Sequence, residues 1–415
     1  MKKLYLLLDE WDNDRNFVGK ELDLISDKYD VVVICNSAND NLNPKVRYSV
    51  YSRLGKLRAI ISILRMLFDK DAWIEFCRVF GEKDRKVAKL SEVLRFYINA
   101  DMFRSYLKKN SFLEDNAIYY SYWYFWKCYA VTHEIDRYPG SRIITRAHEY
   151  DLYDYTSPSG YQPFKEAMDD RLYAVIFIAE HGMDYYLKKY NKAPGQKYKL
   201  YRLGTPDPLK YTNEIPMALQ SDKNEEDAET KKSSIKIVSC SSIIERKRVY
   251  RIAEALSLFE DIIVTWIHFG AGDQEELLKK LCEDELSKKD NINVELKGYI
   301  KNEELHDFYK KNWIDVFVTA SSSEGNPVSV MEALSYGIPI IAPAICNFPN
   351  MIEDCGLLVS EECGAEELAE AIRKFAQMPV DELKKMRNNA RKCWEEKFDA
   401  DKNNRRFVED VIDRL

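Results

Sequence analysis

The chain alternates short apolar runs with segments of helical periodicity, and this alternation restricts the fold more than any other feature. From Val249 to Leu256, for example, apolar residues recur at i, i+3, i+4 and i+7, which predicts an amphipathic helix. Strand–helix repetition on this scale predicts parallel sheets with helices on both faces. The predicted strands are Leu4–Leu8, Val31–Ile34, Ile118–Tyr122, Arg142–Thr145, Ala174–Ala179, Ile235–Ser239, Ile262–Phe269, Ile292–Leu296, Asp315–Thr319, Ile338–Ala342 and Leu357–Val359.

A length of 415 residues leaves room for two domains at about 100–200 residues each. We predict an α/β fold with two doubly wound, Rossmann-like domains, covering 1–205 with a helical insertion at 55–112, and 234–395. Residues 206–233 are acidic and lack apolar periodicity, which predicts a linker. Residues 396–415 are predicted to form a helix that returns to the N-terminal domain. Because such sheets bind ligands outside the carboxyl ends of their strands, we expect the two domains to face a central cleft.

Composition excludes several classes of protein. No apolar run approaches the roughly 18 residues that a membrane-spanning helix needs, and acidic residues follow the first apolar run too closely for a signal peptide. The nine cysteines include no Cys-x-x-Cys pair, so we expect reduced thiols in a cytoplasmic protein. A net charge of −7 and the lack of a basic–aromatic motif argue against nucleic acid as a partner.

Residues 51–110 carry the strongest basic excess, with 14 basic and 7 acidic residues. Two interpretations remain open for the helix predicted at its start. It either packs its apolar stripe on the domain core or lies on an anionic membrane surface, where each exposed cation adds about 1 kcal/mol. The apolar residues are Leu57, Ile60, Ile61, Leu64 and Leu67, and the interleaved basic residues are Arg53, Lys56, Arg58, Arg65 and Lys70.

The segment from Thr319 to Ile340 carries the clearest chemical signal. A buried strand ends in small polar residues, after which Asn326 is predicted as a helix N-cap and Pro327 as the first helical residue. The amides of Val328 and Ser329 would then lack helical partners at the positive end of the helix dipole. Such a helix start is a binding site for a phosphate or diphosphate.

Two glutamates flank this predicted helix start. Side chains on a helix lean toward its N-terminus, so Glu332 can reach past a bound phosphate to the two hydroxyls of a ribose. Glu324 precedes the turn and stands where a sugar on the other side of a diphosphate would lie. The alternative is that Glu324 is an ordinary loop acid and Glu332 a solvated helical residue.

This segment resembles the Glu-x7-Glu signature of retaining glycosyltransferases of the GT-B type, in family 4 (glycosyltransferase group 1), which includes bacterial capsule and exopolysaccharide enzymes. The resemblance implies that Glu332 binds the nucleotide ribose, that Glu324 binds the donor sugar as a catalytic residue, and that amides near Asn326, Val328 and Ser329 bind the diphosphate. It also extends through 297–300, where backbone at Ile300 would face the base.

The same resemblance places a cation pair after the first C-terminal strand, on the donor diphosphate. Lys247 matches the lysine of that pair, but Ser242 stands where arginine is usual, so Arg246 or Arg248 is a candidate substitute. A second departure is Cys346-Asn347, where related enzymes often have two glycines.

In the N-terminal half, 121–123 and 144–153 resemble a subgroup that makes capsule or exopolysaccharide. The resemblance implies that His148 is a catalytic residue near the reacting carbon of the donor sugar, and that Gly19 belongs to a glycine loop whose backbone lies near the donor phosphate. The implied acceptor-side residues are Arg146, Asp151 and Trp123.

Three weaker motifs are set aside. Asp12–Asp14 and Asp69–Asp71 match Asp-x-Asp, which arises often by chance among 69 acidic residues, so we expect no essential metal and no cofactor. Gly270–Gly272 follows a strand as in dinucleotide-binding sites, but Glu275 occupies the third glycine position.

The expected function is therefore transfer of a sugar, with retention, from a nucleotide-sugar (a UDP-sugar) to a carbohydrate or lipid-linked oligosaccharide in surface polysaccharide synthesis. The expected location is the cytoplasm, with peripheral contact to the inner membrane face through residues 51–110. The main alternative is a catalytically silent subunit of the same fold that supports a partner enzyme. An epimerase on this fold is a third interpretation, but it lacks a set of paired acids.

Overall fold

The computed structural model describes residues 1–53, 55–81, 84–210 and 234–415. The strands are β1 (Lys3–Leu7), β2 (Asp30–Cys35), β3 (Arg47–Val50), β4 (Ile118–Ser121), β5 (Arg142–Ala147), β6 (Ala174–Phe177), β7 (Tyr198–Leu200), β8 (Ser234–Cys240), β9 (Ile263–Phe269), β10 (Ile292–Leu296), β11 (Val316–Val318), β12 (Ile340–Pro343) and β13 (Gly356–Val359). The α-helices are α1 (Trp11–Ser26), α2 (Lys56–Met66), α3 (Lys70–Gly81), α4 (Lys86–Lys109), α5 (Trp126–Thr132), α6 (Lys165–Asp169), α7 (Glu180–Lys189), α8 (Tyr250–Leu256), α9 (Glu275–Leu281), α10 (Asn302–Lys311), α11 (Val328–Ser335), α12 (Phe348–Ile352), α13 (Ala365–Ala376), α14 (Val380–Lys397) and α15 (Ala400–Asp410).

The first compact unit comprises Met1–Leu203 and Asp401–Leu415. Its sheet has the strand order β3-β2-β1-β4-β5-β6-β7, and all paired strands are parallel. Helices α1 and α15 cover one face, where Val18 and Phe407 pack with Leu6. Helices α4 to α7 contribute to the core on the other face. Both faces are therefore buried, which explains the continuous apolar runs of the inner strands.

The second unit comprises Gly204–Ala400. Its sheet has the order β10-β9-β8-β11-β12-β13, again with parallel pairs throughout. Helices α8, α9 and α13 cover one face and α10, α11, α12 and α14 the other. In this order β8 and β11 are neighbours at the centre, so the loops that follow them leave the same edge of the sheet.

The predicted α/β class with two parallel-sheet domains is confirmed, and each predicted strand is present within a few residues of its expected bounds. The sequence did not predict the edge strands β3 and β7. Most of the predicted linker, residues 211–233, lies outside the described residues. Among the residues that the structure describes, no helix is both long and apolar enough to cross a lipid bilayer.

Helix α2 does not pack its apolar stripe on the core. Its buried residues are Ser62 and Met66, and Ser62 donates a hydrogen bond of 2.8 Å to Asp101 on α4. The interpretation that the apolar stripe packs on the core is therefore wrong, although Met66 of α2 belongs to the core. We call the exposed apolar residues of α2 and the turn that follows it the apolar face: Leu57, Ile60, Ile63, Leu64, Leu67 and Phe68.

Candidate functional site

The loop after β11 ends at α11, but its capping differs from the prediction. Pro327 has an extended backbone conformation (φ −66°, ψ 116°) and is the residue before the helix, which begins at Val328. The Pro327 carbonyl accepts the Val330 and Met331 amides at 3.2 Å, so the N-cap role predicted for Asn326 is wrong. Both polar atoms of the Asn326 side chain are instead buried without a hydrogen-bond partner among the described residues, an arrangement that is costly unless a ligand or water satisfies them.

The first two amides of α11 are free to bind an acceptor. No described group accepts a hydrogen bond from the Val328 or Ser329 N–H. These amides stand at the positive end of the dipole of an eight-residue helix, which favours an anion. The predicted diphosphate position is thus chemically suitable, and it stays a prediction.

The structure brings two of the predicted residues into contact. Lys247 ends a 3-10 turn (Glu245–Lys247), and its Nζ lies 2.5 Å from Glu324 Oε1. Both side chains are largely buried, where the local dielectric strengthens such a pair. The predicted cation and the predicted sugar-binding carboxylate therefore form one ion pair beside the start of α11.

The other candidate cations of this loop are less suited to a diphosphate. Arg248 adopts a left-handed conformation (φ 45°), and its guanidinium donates to the carbonyls of Ala320, Ser321, Glu361 and Glu362. Arg248 therefore anchors the loops and is wrong as a substitute cation. Arg246 donates to the Ser323 carbonyl at 3.3 Å, and the side chain of Ser242 is exposed and supplies a hydroxyl without charge.

Glu332 is buried, with 4% of its surface exposed, so it is not a solvated helical residue. Its Oε1 accepts a hydrogen bond of 2.5 Å from Asn302 Nδ2 and lies 3.9 Å from His306 Nε2. Burial raises the pKa of Glu332 to about 7, against a smaller lowering by the Asn302 bond. The carboxyl group can therefore change charge near neutral pH.

Sequence reasoning missed Asn302 and His306. Their i, i+4 spacing places both on one face of α10, and that signal was available, but only the fold brings this face to Glu332. Burial and Lys310 lower the pKa of His306. The Cys240 thiol, at the end of β8, has a pKa raised to about 12 by burial, with Glu332 raising it and Lys247 lowering it.

The two glycines set aside as a weak dinucleotide motif instead allow two loops to pack together. A Cβ on Gly270, whose φ is +150°, would lie 1.8 Å from the Ser241 carbonyl oxygen. A Cβ on Gly272 would lie 2.2 Å from the Ile243 carbonyl oxygen. The loop after β9 therefore sets the path of the loop that leads from β8 to Lys247.

Replacing Gly272 by Ala is expected to destabilise the protein by roughly 1–3 kcal/mol, because the clash is with backbone that has to move. Urea unfolding would measure the loss. Gly195→Ala is the matched control, since no atom lies within 4 Å of the added Cβ. Equal stability of the two variants would contradict the packing role of Gly272.

Two further predicted features lie on loops of the second unit. The chain leaves β10 through Gly298 (φ +69°), whose carbonyl accepts the Gly270 amide at 2.8 Å, and Ile300 then packs partly on the core. Cys346 adopts a left-handed conformation (φ 47°), which non-glycine residues rarely take. Cys346, which stands where related enzymes often have a glycine, therefore keeps a backbone conformation that glycine adopts readily.

In the first unit, His148 lies at the end of β5 with a defined environment. Its ring is 4.4 Å from the Trp123 ring and 4.8 Å from the Tyr122 ring, measured between centroids. Neither ring nitrogen makes a hydrogen bond to any described residue, although Nδ1 is 3.6 Å from Asp151 Oδ2. A buried imidazole with free nitrogens suits a role toward a ligand, and the catalytic role stays a prediction.

Asp151 shapes this segment from the interior. It is fully buried and accepts the amides of His148 (2.5 Å) and Tyr124 (2.7 Å). Burial favours its neutral form, but the neighbouring His148 and Lys165 outweigh burial and lower its pKa overall. An acceptor-side contact does not fit this position, so Asp151 is a positioning residue for His148.

The acceptor-side role expected of Arg146 is also wrong. Its side chain is 1% exposed, and its Nη1 lies 2.5 Å from Glu21 on α1. Trp123 is partly exposed and donates from Nε1 to Asp14 at 3.3 Å. Of the three implied acceptor-side residues, Trp123 alone keeps a surface that a sugar could contact.

The structure places Gly19 in a helix and not in the expected glycine loop. It lies in the middle of α1, where backbone amides bond within the helix, and the preceding loop of three residues, 8–10, contains no glycine. Its predicted place near a donor phosphate is therefore not supported.

One described group, formed by Asp69, Asp71 and His133, has potential metal-ligating atoms within 4.8 Å of one another. Asp69 already accepts hydrogen bonds from Ala72 N and Tyr97 Oη and pairs with His133 at 2.7 Å, and Asp71 pairs with Arg171 at 2.9 Å. These partners occupy the oxygens that a cation would need.

Comparison with known proteins identifies a family match and a shared fold. The sequence profile of glycosyl transferases group 1 matches residues 220–393. The chain is 28% identical over 184 residues to the putative colanic acid biosynthesis glycosyltransferase WcaL of Escherichia coli (strain K12), covering 42% of this chain and 44% of that protein. It thus spans less than half the length of this relative.

Two solved structures share the fold. Sucrose-phosphate synthase from Thermosynechococcus elongatus has a TM-score of 0.67 at 15% identity, covering 100% of this chain and 99% of that one. Anabaena HepE in complex with UDP and glucose has a TM-score of 0.57 at 13% identity, covering 99% and 100%. Residues 220–393 of this chain therefore match the glycosyl transferases group 1 family, and the chain has a GT-B fold.

Proposed function

We propose that this chain is a glycosyltransferase of the EC 2.4 class that moves a sugar from a nucleotide-sugar, a UDP-sugar, to a carbohydrate acceptor with retention of configuration. The observation that carries the proposal is the start of α11, where two unpaired amides stand beside the Lys247–Glu324 ion pair. The colanic acid role in the name of WcaL supports surface polysaccharide as the product. The UDP and glucose of the HepE complex support the choice of donor.

The proposed chemistry follows from where charge develops. As the bond from sugar to diphosphate breaks, positive charge grows on the sugar and negative charge on the phosphate oxygens. Preorganised amides at Val328 and Ser329, with Lys247, stabilise the departing diphosphate. Glu324 positions the donor sugar and Glu332 accepts the ribose hydroxyls. We infer front-face attack, in which the leaving phosphate takes the acceptor proton, because Glu324, the carboxylate assigned to the donor sugar, is held in an ion pair with Lys247.

The remaining roles concern the first unit. His148 is assigned to the donor sugar on the family resemblance, with support from its free ring nitrogens. The acceptor is inferred to be a lipid-linked oligosaccharide, and contact with the membrane is inferred through residues 51–110. The exposed apolar face supports that contact, since large exposed apolar patches mark interaction surfaces.

Replacing Lys247 by Ala is expected to weaken UDP binding about 10- to 100-fold, because a hydrogen bond to a charged group contributes roughly 1.5–3 kcal/mol. Isothermal calorimetry with UDP and with GDP measures the change. Lys374→Ala is the matched control, because Lys374 is an exposed lysine of the same unit that pairs with Glu370 on α13. Unchanged affinity in the Lys247 variant would contradict the assigned site.

A second measurement separates catalysis from a supporting role. The wild-type protein is expected to release UDP slowly from at least one UDP-sugar in water, and Glu324→Gln is expected to abolish that release while keeping UDP affinity. Binding of UDP without hydrolysis or transfer of any tested sugar would favour the catalytically silent subunit.

A further inference from the structure

A basic cavity of about 690 Å³ lies in the helical insertion of the first unit. It is bounded by α2, by the C-terminal half of α4 and by the residues that follow α5. Two acidic residues, Asp69 and Glu134, contribute to its lining. Six cationic side chains line it: Arg58, Arg65, Arg104, Lys108, Lys109 and Arg137.

The acids leave part of this positive charge unpaired. Glu134 is buried and pairs with Lys108 at 2.9 Å and Arg137 at 2.5 Å. By contrast, Arg58 and Lys109 have no acidic partner among the described residues. Like charges held together in one concavity attract an anion of matching size, so the cavity is suited to a phosphate group.

The side chains on the floor of the cavity are held in place by contacts with one another. Arg104 is largely buried and pairs with Asp101, and its Nη1 lies 2.7 Å from His133 Nδ1. Asp101 also pairs with Arg65 at 3.1 Å. This network fixes the guanidinium groups before any ligand arrives, which lowers the entropic cost of binding.

The cavity adjoins the apolar face of α2. Phe68, the last residue of that face, lines the cavity and is 90% exposed. Arg58 and Arg65 are seven residues apart, so they lie two turns apart on one flank of α2, between the cavity and the apolar face. One edge of the helix therefore offers phosphate-binding cations and the next offers hydrocarbon contact.

We propose that this cavity binds the phosphate group of a membrane lipid, while the apolar face of α2 enters the adjoining hydrocarbon. The inference rests on the membrane contact of the proposed function and is independent of the nucleotide site. Basic residues beside an apolar helical face are the arrangement that holds a helix in the plane of an anionic bilayer. The cavity adds selectivity, because an exposed phosphomonoester enters it more fully than a carboxylate or a screened phosphodiester.

The test measures binding to phosphatidylcholine vesicles that contain phosphatidic acid or, at equal surface charge, phosphatidylserine. The wild-type protein is expected to prefer phosphatidic acid about tenfold. Inorganic diphosphate is expected to release it from these vesicles, while sulfate at equal ionic strength does not. Equal binding to both vesicles, with no effect of diphosphate, would overturn the phosphate site.

Three variants assign the effect to residues. Arg58→Gln with Lys109→Gln is expected to bind phosphatidic acid vesicles about 30-fold more weakly, as removal of two surface charges predicts. Lys45→Gln with Lys188→Gln changes the charge equally on other exposed residues of the unit and is expected to retain the lipid preference. Leu64→Ser with Phe68→Ser is expected to lose binding to both vesicles.

The outcomes separate this proposal from its alternatives. UDP affinity should be unchanged in all three variants, so failure of lipid binding leaves the donor site intact and the reverse also holds. A wild-type protein that ignores both vesicles but dimerises through Leu64 and Phe68 would show that a second copy covers the apolar face, and the lipid proposal would then be wrong.

Discussion

Replacing Arg146 by Met is expected to lower the free energy of unfolding by about 3–5 kcal/mol. The substitution removes the partner of Glu21, whose side chain is fully buried. Tyr120 Oη donates to the same carboxylate at 3.1 Å, but one neutral hydrogen bond does not replace a cation. The guanidinium also lies 4.5 Å from the Phe407 ring centroid, and that contact is lost as well.

The control is the double replacement Arg146→Met with Glu21→Leu, which removes both charges and keeps the volume. Burial lowers the pKa of Arg146, but Glu21 and two tyrosines raise it by a larger amount, so the net shift is upward. The charged form of Arg146 is therefore stabilised by Glu21. Urea unfolding of the single and double variants measures the coupling. The double variant is expected to recover most of the loss, and a small effect of the single replacement would contradict the pairing.

The second large effect concerns Glu332 and pH. Its carboxyl pKa is raised by burial from 4.5 to about 7 in the folded state. Between these values the folded protein binds more protons than the unfolded chain, so stability falls as pH rises through this window. The shift corresponds to a loss of up to about 3 kcal/mol between pH 4.5 and pH 7.

Glu332→Gln tests this linkage, because glutamine keeps the hydrogen-bonding shape and does not titrate. The variant and the wild type are expected to have similar stability below about pH 4.5, apart from a constant offset. The difference should then grow in favour of the variant up to about pH 7 and stay level above it. Urea unfolding across this range measures it, and a pH-independent difference would show that the buried carboxyl does not titrate there.

Bound nucleotide should alter the same profile. If Glu332 accepts the ribose hydroxyls as a carboxylate, UDP binding favours its ionised form and releases a proton below about pH 7. Calorimetry in buffers of different ionisation enthalpy detects the released proton. If the Glu332→Gln variant releases no proton on UDP binding, the proton comes from Glu332.

The inner strands could be predicted because burial on both sheet faces demands continuous apolar residues. Ile292–Leu296 has the same bounds in the sequence and in the structure. The edge strands could not be predicted in this way. Arg47–Val50 and Tyr198–Leu200 pair on one side only and are partly exposed, so neither needs an apolar run.

The candidate site divides along a similar line. The motif from Glu324 to Glu332 could be placed at a helix start, because the residues involved are close in sequence. The contacts that these glutamates make could not be predicted, because their partners are distant in sequence. Lys247 is 77 residues from Glu324, and Asn302 is 30 residues from Glu332. Arg146 illustrates the opposite error: the family resemblance implied an acceptor-side role, but its partner in the structure is Glu21, 125 residues away.

The position of α15 has a consequence for synthesis on the ribosome. Phe407 and Val408 pack on the first sheet beside Leu6, yet they are translated after the whole of Gly204–Ala400. During synthesis, the part of the first sheet that α15 covers therefore stays exposed until the second unit has been translated. Chaperones that shield apolar surface on nascent chains should engage this interval, and release should coincide with translation of α15.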